Sequence, residues 1–140
     1  VNFELFGWSH WNLQPLAGLC TLVSRATGVA IPESYPVFGK DAYRTQTGVH
    51  AAAILKARAK GHDWLADRVY SGIPAAMVGR RQEVEVGPMS GQANVTCWLQ
   101  ERGIESSPAL VQTIFQAAKE STAVLSEERL LALCQRRPKS

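Results

Sequence analysis

Apolar residues recur at three- and four-residue intervals in separate stretches of the chain, and each stretch predicts a helix with one apolar face. The first spans about 13–27, with Leu16, Leu19, Cys20, Val23 and Ala26 as its stripe. Pro15 sits near its start, where a missing N–H is harmless, and Gly28 stops it. An alanine-rich helix follows over about 48–60 and ends at Gly61. Val95, Trp98 and Leu99 mark another over about 91–102, stopped by Gly103. Ser107 caps the next and Pro108 takes its first position, ahead of a stripe of Leu110, Val111, Ile114, Phe115 and Ala118. Ser126 caps a last helix carrying Leu130, Leu131 and Cys134, with Glu127 and Glu128 near its positive end.

Between these helices the pattern breaks. "VAIPESYPVFGKDAY" holds two prolines and reads as an extended connector, too apolar to float free of a surface. "HDWLADRVY" predicts a short helical turn, and "SGIPAAMVGRR" is rich in breakers. "RQEVEVG" alternates polar and apolar residues and is the only good strand candidate. The expected fold class is therefore mainly α with a short β element (α+β). There is too little strand for a barrel or a Rossmann sheet. No internal repeat or low-complexity segment is visible.

Composition narrows the function classes. A chain of 140 residues with 46% hydrophobic and 19% charged residues suits one globular domain or two small subdomains. No stretch approaches the roughly 20 apolar residues that span a bilayer, so no membrane role is expected. The start, "VNFELFGWSHWN", has neither a basic leader nor an initiator Met, which fits a piece of something longer. The net charge of +3 owes part of its value to Arg136, Arg137 and Lys139 in the tail, too sparse a basic cluster for nucleic-acid binding. Cys20, Cys97 and Cys134 are far apart and odd in number, which points to a reducing, cytoplasmic setting.

Candidate chemistry is thin when read locally. Nucleotide-binding glycine loops, zinc-protease motifs and nucleophile elbows are all missing. His10, His50 and His62 lack metal-ligand spacing, so no metal site is expected within the chain. His50 follows Gly48 in the first turn of a helix, where an imidazole can accept a proton or simply pack. Tyr70 precedes the loop "SGIP" and either reaches outward or is half-buried. Ser90 and Gly91, in "GPMSG", read as an N-cap and turn or as an anion contact.

Longer stretches carry a family resemblance. "YPVFGKDAYRTQTGVHAAAILKA" resembles the post-barrel segment of the 2-isopropylmalate synthase and homocitrate synthase family, which has an aromatic residue, a Ser/Ala-Gly-Ile-His box and a helix in that order. "VYSGIPAAMVGRRQEVEVGPMSGQANVTCWLQERGIE" resembles the family's tyrosine loop, valine-glycine turn, short strand and Gly-Lys-His-Ser-Gly segment. "LQPLAGLCTLVSRATGVAIP" resembles the connector helix leaving its barrel. The likeness runs over about residues 12–105. It departs from the family in reading Gln-Thr-Gly-Val-His for Glu-Ser-Gly-Ile-His, and in Pro88 and Met89 for the lysine and histidine before Ser-Gly.

The resemblance implies helical C-terminal subdomains of a TIM-barrel acyltransferase, with the barrel itself absent. Residues 1–40 would be the connector helix and linker leaving the barrel, and 41–140 a lid and dimerisation subdomain. Such enzymes condense acetyl-CoA, as co-substrate, with a 2-oxo acid, using a divalent metal ion held in the barrel. The fragment would be inactive alone. It would form a homodimer, domain-swapped or not, and pack on its own TIM barrel. His50 and Tyr70 map to the family's catalytic lid pair, and Thr47, Gly48 and Ser90 to substrate-binding positions. The competing expectation is a non-catalytic helical interaction module that uses Trp8, Trp11 and the stripes at 16–26 and 110–118.

Overall fold

The computed structural model describes residues 1–135. The basic tail residues Arg136, Arg137 and Lys139 lie outside them. In chain order the helices are α1 (Asn2–Leu5), α2 (Leu16–Thr27), α3 (Gly48–Ala59), α4 (Asp63–Arg68), α5 (Gln92–Glu101), α6 (Pro108–Lys119) and α7 (Glu127–Gln135). Short 3-10 turns occupy Lys40–Tyr43 and Ala75–Val78. Strands β1 (Arg44–Thr45) and β2 (Glu83–Val84) pair as a two-stranded parallel sheet, the only one among the described residues. The expected class, mainly α with a short β element, is therefore what forms. The partner strand β1 lies outside the alternating run because two residues cannot display a period.

The chain packs as two compact units, each made of discontinuous segments. One comprises Val1–Arg44 with His62–Glu83, and the other Thr45–Gly61 with Val84 onward.

The first unit has a small core of Leu13, Tyr43, Ala75 and Val78, with Leu16, Phe38, Ile73 and Met77 against it. Polar links do much of the joining. Asp67 accepts the Ala76 N–H at 2.9 Å, and the Gln82 side chain donates to the Asp67 carbonyl at 3.0 Å and to the Ser71 hydroxyl. Arg80 donates to the Phe38 carbonyl at 3.1 Å while its guanidinium lies 5.6 Å from the Tyr43 ring centre. Gly79 adopts φ +71°, and a Cβ there would sit 2.5 Å from the Gln14 carbonyl oxygen, so no side chain fits. The α2 stripe is real but uncovered: no residue of α2 is buried, and Leu19, Leu22 and Val23 are about half exposed. Phe3, Phe6, Trp8 and Trp11 also stand exposed, with Trp8 stacked at a tilt near both phenylalanines.

The second unit is a run of packed helices, α3 on α5, α5 on α6 and α6 on α7. Helix α3 buries Ala51, Ile54 and Ala57, and small side chains allow the close approach to α5. Helix α5 buries Val95, Cys97, Trp98 and Leu99, and α6 buries Val111, Ile114 and Ala118. Ser107 caps α6 by accepting the Leu110 N–H, with Pro108 at the first position. Of the stripe expected on α7, Leu130 is buried and Cys134 packs against the core, whereas Leu131 is exposed and Leu133 is buried in its place. Leu130 and Leu133 are three residues apart and share the face that meets α6, which Leu131, one residue on, cannot share. Arg58 ties α3 to α5 through Glu101 at 2.8 Å and Cys97 Sγ at 3.4 Å. Arg102 donates to Glu127 at 3.0 Å and lies 4.0 Å from the Trp98 ring centre.

Two buried groups generate stability predictions. The Tyr43 hydroxyl is buried without a hydrogen-bond partner among the described residues. Burial, then the charge of Asp67, pushes its pKa up, against the pull of Arg80. An unsatisfied buried hydroxyl costs free energy that phenylalanine does not, so Tyr43→Phe should raise stability by about 1 kcal/mol in urea unfolding. The Cys97 thiol is pushed up to about 11 from 9.0, first by burial and next by the Glu101 carboxylate, with Arg58 opposing. The unfolded thiol ionises at the lower value and the folded one resists, so stability holds below 9.0 and falls as the pH rises toward 11. Unfolding free energies taken along this range should fall by about 2–3 kcal/mol more in the wild type than in Cys97→Ala.

Candidate functional site

His50, Thr47, Gly48 and Ser90 all lie in the second unit, and Tyr70 lies in the first. The local geometry around His50 begins with β1 and the first turn of α3. The Thr45 carbonyl accepts the Glu85 N–H at 2.8 Å, which anchors the chain just before the box. Thr47 precedes the first helical residue, and its carbonyl accepts the N–H groups of His50 at 3.1 Å and Ala51 at 3.3 Å. His50 is thereby set in the third helical position, half-buried, with Nδ1 2.9 Å from the Thr45 hydroxyl.

Gln46 is clasped from the segment that leads into α5. Its carbonyl receives hydrogen bonds from Ser90 Oγ and Asn94 Nδ2, both at 3.0 Å, and its side-chain oxygen accepts the Met89 N–H at 3.1 Å. Asn94 also donates to the Glu85 carbonyl at 2.9 Å and accepts the Gly91 N–H at 3.0 Å. Ser90 accepts the Gly87 N–H at 2.9 Å and shares its single proton between the Gln46 and Glu85 carbonyls. Ser90 and Asn94 are both fully buried. These bonds occupy the Ser90 hydroxyl, so a ligand would have to break them to reach it. Ser90 serves here to hold the His50 turn. Thr47 is exposed and Gly48 half-buried at the same turn.

Gly48 permits this clasp. A Cβ built there would lie 2.8 Å from the Gly91 backbone nitrogen, closer than any side chain tolerates. Two helix starts thus meet backbone to backbone. Thr45 and Asn94 escaped the sequence reading, and Gln46 entered it only as the first residue of the box, with no role given to it. Asn94 had a legible signal, since an amide three residues after an N-cap glycine can reach back to the cap N–H.

Tyr70 follows α4 and is partly exposed. With Val37, Ala42, Tyr43, Ser71, Gly72 and Ile73 it lines an open cleft of about 250 Å³. Val37, at the same cleft, holds φ +67°, a left-handed conformation that is strained for a β-branched residue. Among the described residues no group of three or more His, Cys, Asp and Glu could hold a metal ion. No described helix is long and apolar enough to cross a membrane.

Sequence comparison finds synthases among the relatives of this chain. The chain belongs to the family of citramalate, homocitrate and 2-isopropylmalate synthases. It is 36% identical over 117 residues, 83% of its length, to a Methanosphaerula palustris protein named provisionally as an (R)-citramalate synthase, of which it covers 22%. It is 27% identical over 121 residues, 86% of its length, to the homocitrate synthase of Pyrococcus horikoshii, covering 31% of that protein. A Methanopyrus kandleri protein named provisionally as a 2-isopropylmalate synthase is 29% identical over 105 residues, 75% of this chain and 19% of its own. The chain therefore spans between about a fifth and a third of the length of these curated relatives. No family model matches it.

The apposition of Gly48 and Gly91 is testable. Gly48→Ala should lower stability by roughly 1–3 kcal/mol in urea unfolding, because two backbones must separate to admit the methyl group. Gly91→Ala is the control: its Cβ would find only an ordinary 3.4 Å contact with Gly48 Cα. That substitution should cost under about 1 kcal/mol, mainly through the weaker N-cap.

Proposed function

We propose that this chain is the lid and dimerisation portion of an acyltransferase that condenses acetyl-CoA with a 2-oxo acid. The observation that carries the reading is the synthase identity of relatives matched over most of the chain. Residues 1–40 act as the connector leaving a TIM barrel, and residues 41–140 cover the mouth of the partner subunit's barrel in a homodimer. The fragment alone is then inactive, because the 2-oxo acid, most of acetyl-CoA and a divalent metal ion belong to that barrel. The enzyme works in the cytoplasm.

The chemistry explains the residue types. Removing a proton from the acetyl methyl group leaves an enolate, whose carbon attacks the ketone carbon of the 2-oxo acid. A carbon–carbon bond forms, the ketone oxygen becomes an alkoxide and takes a proton, and water cleaves the thioester to release CoA. His50, with an imidazole at the start of α3, moves a proton in the first or the third of these events. Tyr70 donates its hydroxyl hydrogen to oxygen on which negative charge develops. Thr47 and Gly48 line the substrate beside His50, and Ser90 supports them from behind. A closed lid excludes water until the carbon–carbon bond has formed.

The exposed aromatics at Phe3, Phe6, Trp8 and Trp11 and the bare face of α2 favour a second reading, a non-catalytic interaction module. In the lid reading these surfaces meet the barrel or the second subunit. Turnover separates the two. CoA release by the full-length protein is measured with oxoisovalerate, oxoglutarate, pyruvate and oxaloacetate. Activity with one acid is expected, reduced about 100-fold or more in a folded His50→Ala variant. An active enzyme indifferent to that substitution returns His50 to a structural role, and no activity with any acid favours the module.

A further inference from the structure

Two unfavourable features meet at one cleft of the first unit. Tyr43 is 4% exposed, and its hydroxyl is buried with no hydrogen-bond partner among the described residues. Val37, which lines the same cleft, holds φ +67°, a region that a β-branched side chain disfavours. Folding alone favours neither. Orphaned polar groups and strained backbone cluster at ligand sites, where the ligand supplies what the fold withholds. Because the hydroxyl is enclosed, its partner has to enter through the cleft that Tyr43 lines.

The walls narrow the chemistry of that partner. No described residue lining the cleft carries a charged side chain, so an ion would lose its water to walls that cannot replace it. The charges acting on Tyr43, those of Asp67 and Arg80, oppose one another. Val37, Ala42 and Ile73 offer apolar carbon. Ser71 already accepts a hydrogen bond from the Gln82 side chain, so its own proton remains to give. The Tyr43 hydroxyl is also a donor, since burial and Asp67 raise its pKa and keep it protonated. Two hydroxyl donors among apolar walls suit a carbonyl oxygen on an uncharged group. A volume of about 250 Å³ admits a slender group and not a whole nucleotide cofactor.

We infer that this cleft holds the uncharged amide of the acetyl-CoA arm that stands nearest the thioester, with the Tyr43 hydroxyl donating to the amide carbonyl oxygen. The inference rests on the condensation proposed above and adds where this chain grips the co-substrate. In acetyl-CoA that amide is joined to the thioester sulfur by a short ethylene link. Tyr70, the proposed donor to developing negative charge, lines the same cleft. The arm held by Tyr43 therefore delivers its thioester to the side chain that acts on it.

The probe is N-acetylcysteamine, which carries that amide and its thiol and nothing else of the cofactor. It is titrated into the isotopically labelled 140-residue chain and followed by backbone amide NMR. The expected shifts concentrate at residues 37, 42–43 and 70–73. Tyr43→Phe, which should be the more stable protein, weakens binding about 10-fold, the loss of one hydrogen bond to a buried group. Tyr35→Phe alters a half-exposed ring outside the cleft and should leave binding as it is. In the full-length protein, Tyr43→Phe should raise KM for acetyl-CoA by about 10-fold, with kcat and KM for the 2-oxo acid little changed. Absence of shifts at the cleft, or equal affinity in wild type and Tyr43→Phe, overturns the inference, whereas CoA release by the full-length protein tests the condensation separately. If the probe binds through Tyr43 but the full-length protein releases CoA with no 2-oxo acid, the condensation falls and the assignment to acetyl-CoA falls with it.

Discussion

The second unit depends on a backbone contact that only glycine allows. Gly48 and Gly91 bring the starts of α3 and α5 together, with room at Gly48 for a hydrogen atom and nothing larger. Because the starts touch, the Gln46 carbonyl falls within reach of both Ser90 and Asn94. Those two buried side chains satisfy polar backbone groups that would otherwise be stranded without water, a cost worth more than the bonds themselves. The same contact lets the alanine-rich face of α3 lie on α5 and fixes where the chain carrying His50 enters its helix.

The polar and apolar parts of this unit divide the work. Val95, Leu99, Ile114 and Leu130 supply the non-directional driving force of a core shared by successive helices. That core would tolerate small rotations of each helix. Hydrogen bonds are directional, and the Gln46–Ser90–Asn94 cluster admits one register of α3 against α5. A half-buried imidazole, with a threonine hydroxyl on one ring nitrogen, is therefore presented by rigid elements and not by a loose loop. The first unit is held differently. Its apolar core is small, and Asp67, Arg80 and Gln82 bind successive turns through backbone carbonyls and N–H groups. Its helix α2 buries no residue, and its N-terminal aromatics stand exposed.

Much of this was legible in the residues. The helices follow their stripes closely, since apolar spacing and capping residues such as Ser107 act within a turn or two of the chain. Their limits were equally local. On α7 the pattern admits Leu131 where the core takes Leu133, because a short helix with leucines at 130, 131 and 133 offers more than one face. Strand β1 is too short to announce itself. The box around His50 was visible as a resemblance, and the comparisons with known synthases bear out the family it suggested.

What the sequence by itself determined was the helices from α2 onward and their approximate ends, the likeness of the box at 46–50 and the glycines at 48 and 91, whereas the single turn of α1 carries no stripe to read. These are properties of residue type and near spacing. The tertiary structure alone decided that Gly48 faces Gly91, that Ser90 turns inward to hold a carbonyl, and that Asn94 and Thr45 belong to the surroundings of the His50 turn. Gln46 and Asn94 are separated by 48 residues. No local pattern encodes such a pairing, because it exists only once packing of α3 on α5 has excluded water and left each buried polar atom to find its partner in the protein.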